Sequence, residues 1–249
     1  MLKQILLQSY GFLSQQLPYL TALTFSLGML YKIGRWLGGK NEPPFEAPPK
    51  RRITPLFWFF LILNLIFFRR TFQRSKKFWL ALWSMHISGV FIVLHPIAAG
   101  LGFFGLSQVT QLFDGLDELM GHYLLTTISI TVGVVFLGGL LSLLLRRIIF
   151  KNPRLLSVLD DWAALLLLAI ISLAGVGMRL IEPPIIMSNL LDPTFAAGLS
   201  EAKLIFLNIH AIFGQLFIAY FPFSKSVHIV SGLIVMAARE RRGRKYGIW

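Results

Sequence analysis

The chain has 249 residues, 55% of them hydrophobic, with a formal charge of +13 and no cysteine. A mean hydropathy of +0.69, with apolar runs of about 20 residues, the length that crosses roughly 30 Å of hydrocarbon, predicts an all-α integral membrane protein. Without cysteine there are no disulfides, no covalent c-type haem and no iron–sulfur cluster ligated wholly by this chain; the basic residues flank apolar spans, which argues against nucleic acid as the partner of the charge.

In chain order, the first 15 residues carry only Lys3 and are broken by Gln4, Gln8, Ser9 and Ser14. They lack the apolar core and cleavage site of a secretory signal, so the N-terminus is expected to be retained. Hydropathy then predicts a single membrane domain over 1–249, a bundle of five transmembrane helices at about 17–36, 78–104, 123–145, 160–181 and 203–223. The loop 37–77 holds a further apolar run, 53–68, with Lys50, Arg51 and Arg52 before it and Arg69, Arg70 and Arg74 after it. Its 16 residues and same-side basic flanks read as an interfacial or re-entrant segment, with a sixth spanning helix as the alternative.

Charge sets the expected orientation. Ten Lys/Arg lie in 35–77, four in 146–161 and six in 225–249, whereas 105–122 holds Asp114, Asp117 and Glu118 with no basic residue. The segment 180–203 holds Glu182, Asp192 and Glu201 against Lys203 alone. By the positive-inside rule the N-terminus is outside and the C-terminus cytoplasmic. A multi-pass protein of a prokaryotic cytoplasmic (inner) membrane is expected.

Four histidines, His86, His95, His210 and His228, stand in or beside the second and fifth spans. An ionisable side chain within a bilayer is costly, and neutral imidazole is the commonest protein ligand for haem iron. Antiparallel neighbouring spans would pair His95 with His210 on an outer haem and His86 with His228 on an inner one, giving two b-type haems at two depths. Nine residues separate the first pair, about 13.5 Å of helix, and eighteen the second, about 27 Å. Pro222 is therefore expected to bend the fifth span and return His228 toward His86. Nine residues also place His86 and His95 on opposite faces of an ideal helix, so His122, at the outer end of the third span, stands as the alternative outer ligand.

Arg179 is placed for an outer haem propionate or for snorkelling to the surface, and Lys225 for an inner propionate or as a basic anchor. Gly89, Gly100, Gly175, Gly177 and Gly214 admit close approach of a macrocycle or a helix. Asp160 and Asp161 open the fourth span, where carboxylates suit a helix N-terminus.

At His210-Ala211-Ile212-Phe213-Gly214 through Phe221-Pro222-Phe223-Ser224-Lys225-Ser226-Val227-His228, the chain resembles the gamma-subunit family of respiratory nitrate reductase, the dihaem cytochrome b component of that enzyme. Leu17-Pro18-Tyr19-Leu20, Met85-His86-Ile87-Ser88-Gly89, and Arg146-Arg147 followed by Asp161 extend the similarity over nearly the whole chain. The histidine spacing of the second span is nine residues where the family member has ten, and the long first cytoplasmic loop with its apolar segment 53–68 looks more like the membrane cytochromes of the dissimilatory sulfite-reductase-linked complex (DsrM) and of heterodisulfide reductase (HdrE). The resemblance implies an electron-transfer subunit of a respiratory oxidoreductase complex. It further implies a quinone site near the outer haem, for menaquinone or ubiquinone, and a cytoplasmic iron–sulfur partner subunit in a hetero-oligomeric complex. The alternatives are a proton-relay transporter and a haem-free membrane anchor.

Overall fold

In the computed structural model, residues 1–38, 59, 63, 66–181 and 195–227 are described, with backbone alone at 36–38, 70, 95, 96, 117, 122, 123 and 125. The described residues form helices and no strand: α1 (Leu2–Gln15), α2 (Leu17–Gly38), α3 (Arg69–Arg74), α4 (Lys76–Phe103), α5 (Ser107–Met120), α6 (His122–Ile149), α7 (Lys151–Leu156), α8 (Leu159–Ile181) and α9 (Glu201–Tyr220). Short 3-10 turns follow at Phe195–Gly198, Phe221–Phe223 and Lys225–Val227.

Among the described residues four helices are long and apolar enough to cross a membrane: Lys76–Phe103, Thr126–Ile149, Leu159–Ile181 and Glu201–Phe223. They match four of the five expected spans to within a few residues. The first expected span is helical as α2, with 22 residues, but Thr21, Thr24, Ser26 and Lys32 dilute its apolarity and it is not one of the four. Of the segment 53–68, only Phe59, Leu63 and its last three residues lie within the described residues.

Local chemistry fixes the ends. The Ser75 hydroxyl accepts from the Phe78 N–H at 3.3 Å and Ser200 from that of Lys203 at 3.3 Å, satisfying orphan donors at the starts of α4 and α9. Asp161 does the same for Val158 at 3.0 Å. Gly121, at φ +79°, makes the corner between α5 and α6 that a side chain would disfavour.

α4 packs on α6, α6 on α8 and α8 on α9, with α1 and α2 against α9 and Tyr19 of α2 edge-on to Phe103 of α4 at 4.9 Å between ring centroids. Lipid offers no hydrophobic drive between helices, so small residues decide which ones touch. A Cβ on Gly139 would fall 2.9 Å from that of Met85, one on Gly133 would fall 2.7 Å from Val176, and one on Gly177 would fall 2.8 Å from the Phe206 ring. The outer surfaces, at Leu80, Phe91, Leu145 and Leu173, stay exposed, as lipid-facing positions do.

The N-terminal segment, expected only to lack a signal, is the helix α1, and two polar side chains of α9 hold it. Asn208 Nδ2 donates to the Leu6 carbonyl at 3.2 Å and Gln215 Nε2 to that of Leu13 at 2.6 Å. Thr21 of α2 donates to Gln215 Oε1 at 3.0 Å. Burial among Ala196, Leu199, Leu204 and Leu207 raises the Tyr10 phenol to about 12.

Candidate haem-binding site

His210 projects from α9 onto α8. Its Nδ1 lies 2.8 Å from the Ile171 carbonyl oxygen, and a Cβ on Gly175 would fall 3.0 Å from its Cε1 and 3.1 Å from its Nδ1. A carbonyl only accepts, so Nδ1 carries the proton and the lone pair of the neutral ring stands on Nε2. Gly175 is the residue that allows the ring to lie against the α8 backbone. The backbone of one span thus sets the tautomer and angle of an imidazole on the next, the support a metal-ligating histidine needs.

His86 is set in the same way by its own helix. Nδ1 lies 2.8 Å from the Leu82 carbonyl, which again leaves the lone pair on Nε2. The Phe68 ring meets the imidazole edge-on at 4.9 Å between centroids. Phe68 stands at φ 45°, a left-handed conformation unusual for a bulky residue, which packing against its neighbours has to sustain. One turn before His86, Trp83 stacks on Trp79 at 5.5 Å. Trp83 Nε1 is a buried donor with no acceptor among the described residues, and Asn208 Oδ1 is a buried acceptor likewise; buried polar groups are satisfied as a rule.

The register of α8 against α9 follows from two contacts, Ile171 with His210 and Gly177 with Phe206. Six residues forward on one helix correspond to four backward on the other, so the helices are antiparallel and Arg179 lies near the level of Lys203. Arg179 is four residues beyond Gly175 on the same face of α8. Lys203 is seven residues before His210 on one face of α9 and is only 2% exposed. Hydropathy hides Lys203, which counts only as one basic residue in an acidic segment; its two-turn spacing from His210 is the signal that finds it.

The expectation that the second and fifth spans are neighbours needs correction. α4 and α9 are oppositely directed and share no direct packing comparable to that of α4 on α6, α6 on α8 or α8 on α9; α2 lies against α9 and brings Tyr19 to Phe103 of α4 at 4.9 Å between ring centroids. Directly packed helices sit about 8–10 Å apart, too close for a macrocycle with an imidazole on each face. Separated ligand helices are what a bis-histidine haem requires. A Cβ on Gly100 or Gly214 would meet no atom of another segment within 4 Å among the described residues, whereas one on Gly89 would fall 3.1 Å from the Phe136 ring, which makes Gly89 a helix-packing glycine.

α4 is helical through His95 and Pro96, and His122 begins α6, but the side chains of both histidines lie outside the described residues, as does His228 entirely. α9 stops at Tyr220 and the chain goes on as 3-10 turns at Phe221–Phe223 and Lys225–Val227; the expected return of His228 toward His86 lies outside the described residues. A Cβ on Gly28 would fall 2.8 Å from Pro222 Cβ, so α2 closes over this turn. Lys225 Nζ pairs with Asp161 at 3.1 Å, and its backbone N–H donates to Asp160 at 2.7 Å. Asp160 also accepts from the Tyr220 hydroxyl, so of the two acidic residues only Asp161 caps the helix as expected.

Among the described residues no group of three or more His, Cys, Asp or Glu side chains gathers to hold a bare metal ion. Haem iron needs only axial ligands, because the porphyrin supplies the other donors. Neutral imidazoles with oriented Nε2 lone pairs, two cations at one end and an orphaned indole N–H near the other fit that group.

The chain is similar to HdrE of the dihydromethanophenazine:CoB–CoM heterodisulfide reductase from Methanosarcina barkeri, 27% identical over 72% of this chain and 65% of that protein. It thus spans just under two thirds of that relative. It is 26% identical to the corresponding protein from Methanosarcina mazei over 90% and 91% of the two chains. The Hdr-like menaquinol oxidoreductase cytochrome b-like subunit of Archaeoglobus fulgidus is 24% identical over 85% of this chain and 74% of its own. No family model and no solved structure matches. These relatives support the heterodisulfide reductase side of the resemblance rather than the nitrate reductase side.

Proposed function

We propose that this chain is the membrane cytochrome b subunit of a respiratory complex, carrying electrons between a quinone pool and a cytoplasmic iron–sulfur subunit. The observation that carries the proposal is the pair of oriented imidazoles. His210 and His86 stand on antiparallel helices that share no direct packing comparable to that of their neighbours, each with Nδ1 committed to a carbonyl and its lone pair on Nε2. Two b-type haems, when bound, supply one-electron redox chemistry at two depths. His210 with His95, or His122 in its place, holds the outer one, and His86 with His228 the inner one. Arg179 and Lys203 offer cations to the outer propionates, and the Trp83 indole N–H offers a donor on the His86 side. Menaquinone is the quinone favoured by the archaeal relative's name. The basic segments 35–77 and 225–249 steer an acidic partner subunit to the cytoplasmic face.

Purified from haem-replete cells, the protein is expected to be red, with b-type reduced-minus-oxidised bands, about two haems per chain and a cluster-bearing protein co-purifying. A colourless preparation with full haem supply would make it an anchor or a transporter instead. Gly175→Val tests the support of the outer ligand. The added methyls collide with a ring that Gly175 already meets at contact distance, and loss of the groups that orient a ligand costs about 10–100-fold in metal affinity. One of the two haem signals should therefore titrate out in haem reconstitution, while the other stays.

A further inference from the structure

The side of the molecule where Arg146, Arg147, Lys151, Arg154 and Lys225 gather holds a cavity of about 300 Å³ at the corner of α6, α7 and α8. Its lining includes Arg146, Arg147, Asn152, Leu156 and Asp161. We propose that this corner is a binding site for the headgroup phosphate of an anionic phospholipid.

Both guanidinium groups are held in place. Arg146 lies 4.0 Å over the Phe78 ring, and Arg147 Nε donates to the Ser157 hydroxyl at 2.9 Å, which itself donates to the Pro153 carbonyl at 2.7 Å. With Nε committed, the Arg147 Nη groups remain as donors to an oxyanion. Asp161 contributes no uncompensated negative charge, because its Oδ2 accepts from Val158 N–H at 3.0 Å and from Lys225 Nζ at 3.1 Å.

The rim selects a lipid over a soluble anion. Leu155, Leu156 and Leu159 are 70%, 81% and 84% exposed, and Ile148, Ile149 and Phe150 continue that surface along α6. Side chains of this size in water forfeit the gain of burial, whereas acyl chains satisfy them. Phosphate at the guanidinium pair and acyl chains on the leucines describe a single amphiphile. An acidic protein segment would meet the arginines but leave the leucines bare.

The full chain, delipidated in detergent, should prefer dioleoylphosphatidylglycerol to dioleoylphosphatidylcholine by about tenfold in native mass spectrometry, the effect of two basic side chains on anionic lipid. Arg146→Gln, at an exposed side chain, should cut that preference at least twofold, and Arg146→Gln with Arg147→Gln should abolish it with the far-ultraviolet helix signal unchanged. If the double variant loses that signal, the single variant decides. Leu156→Ser should weaken binding of long-chain more than short-chain phosphatidylglycerol. Equal binding of the two headgroups, or a preference that survives Arg146→Gln intact, overturns the site. Displacement of the lipid by millimolar inorganic phosphate, or by a polyglutamate peptide with Leu156→Ser without effect, assigns the corner to a soluble anion or a protein and overturns the lipid.

Discussion

His210→Ala is expected to take the haem content from about two per chain to about one, with loss of one b-type component of the reduced-minus-oxidised spectrum. The imidazole does three things together: it presents an Nε2 lone pair, spans from α9 to α8 through its 2.8 Å bond to the Ile171 carbonyl, and fills the surface of Gly175. Alanine removes all three, and no neighbouring side chain of α9 offers an aromatic nitrogen lone pair in its place. Ile171 keeps its place within α8, so the helix itself is expected to survive. His228→Ala should remove the other component, and His86→Ala the same one as His228→Ala. That pairing is the strongest part of the test, since histidines serving only as satisfied core residues would give no such grouping. An unchanged two-haem spectrum in His210→Ala defeats the assignment.

Why the spans were legible and the ligand pairing was not follows from what each depends on. A span is a property of consecutive residues, and 78–104 and 160–181 became α4 and α8 almost unchanged. Which spans touch depends on single small residues: Gly139 under Met85 and Gly177 under Phe206 direct α4 to α6 and α8 to α9. Hydropathy sums over such residues and loses them. Asn208 and Gln215, seven residues apart in an apolar run, were the signal for α1, since two amides on one face of a span need partners. The pattern Asp114, Asp117, Glu118 read only as an outer loop, whereas Leu112, Leu116 and Leu119 at helical spacing belong to the amphipathic helix α5. The end of α9 beside Pro222 was legible because proline acts locally; the fastening of the turn that follows to Asp160 was not, because 60 residues separate Asp160 from Tyr220.

Asp160→Ala is expected to release the turn that follows α9 and to be far more damaging than Asp161→Ala beside it. Asp160 accepts the Tyr220 hydroxyl and the Lys225 N–H, two hydrogen bonds to an ionised group, each worth about 1.5–3 kcal/mol. Asp161 holds Lys225 Nζ in an ion pair whose lysine is 59% exposed, a class worth about 1 kcal/mol or less, and accepts from the Val158 N–H at 3.0 Å, a helix cap worth about 1 kcal/mol; neither bond fixes the backbone of the turn after α9. The two bonds of Asp160 tie residues 220 and 225 to the start of α8, while Pro222, nearly fully buried, is pressed on Gly28 from the other side. Between them these contacts hold the 3-10 turns from two sides, one residue short of His228 in the sequence. Thermal unfolding in detergent should show a loss of about 3–6 kcal/mol for Asp160→Ala, with selective loss of the haem component that His228→Ala removes. Asp160→Asn, still an acceptor for Tyr220, should fall between. Gly28→Ala, pushing the turn from the opposite side, should weaken the same component and leave that of His210. Equal effects of Asp160→Ala and Asp161→Ala on both stability and spectrum would mean that the carboxylate at 160 does not fasten the turn, and the geometry of the inner site would have to be set elsewhere.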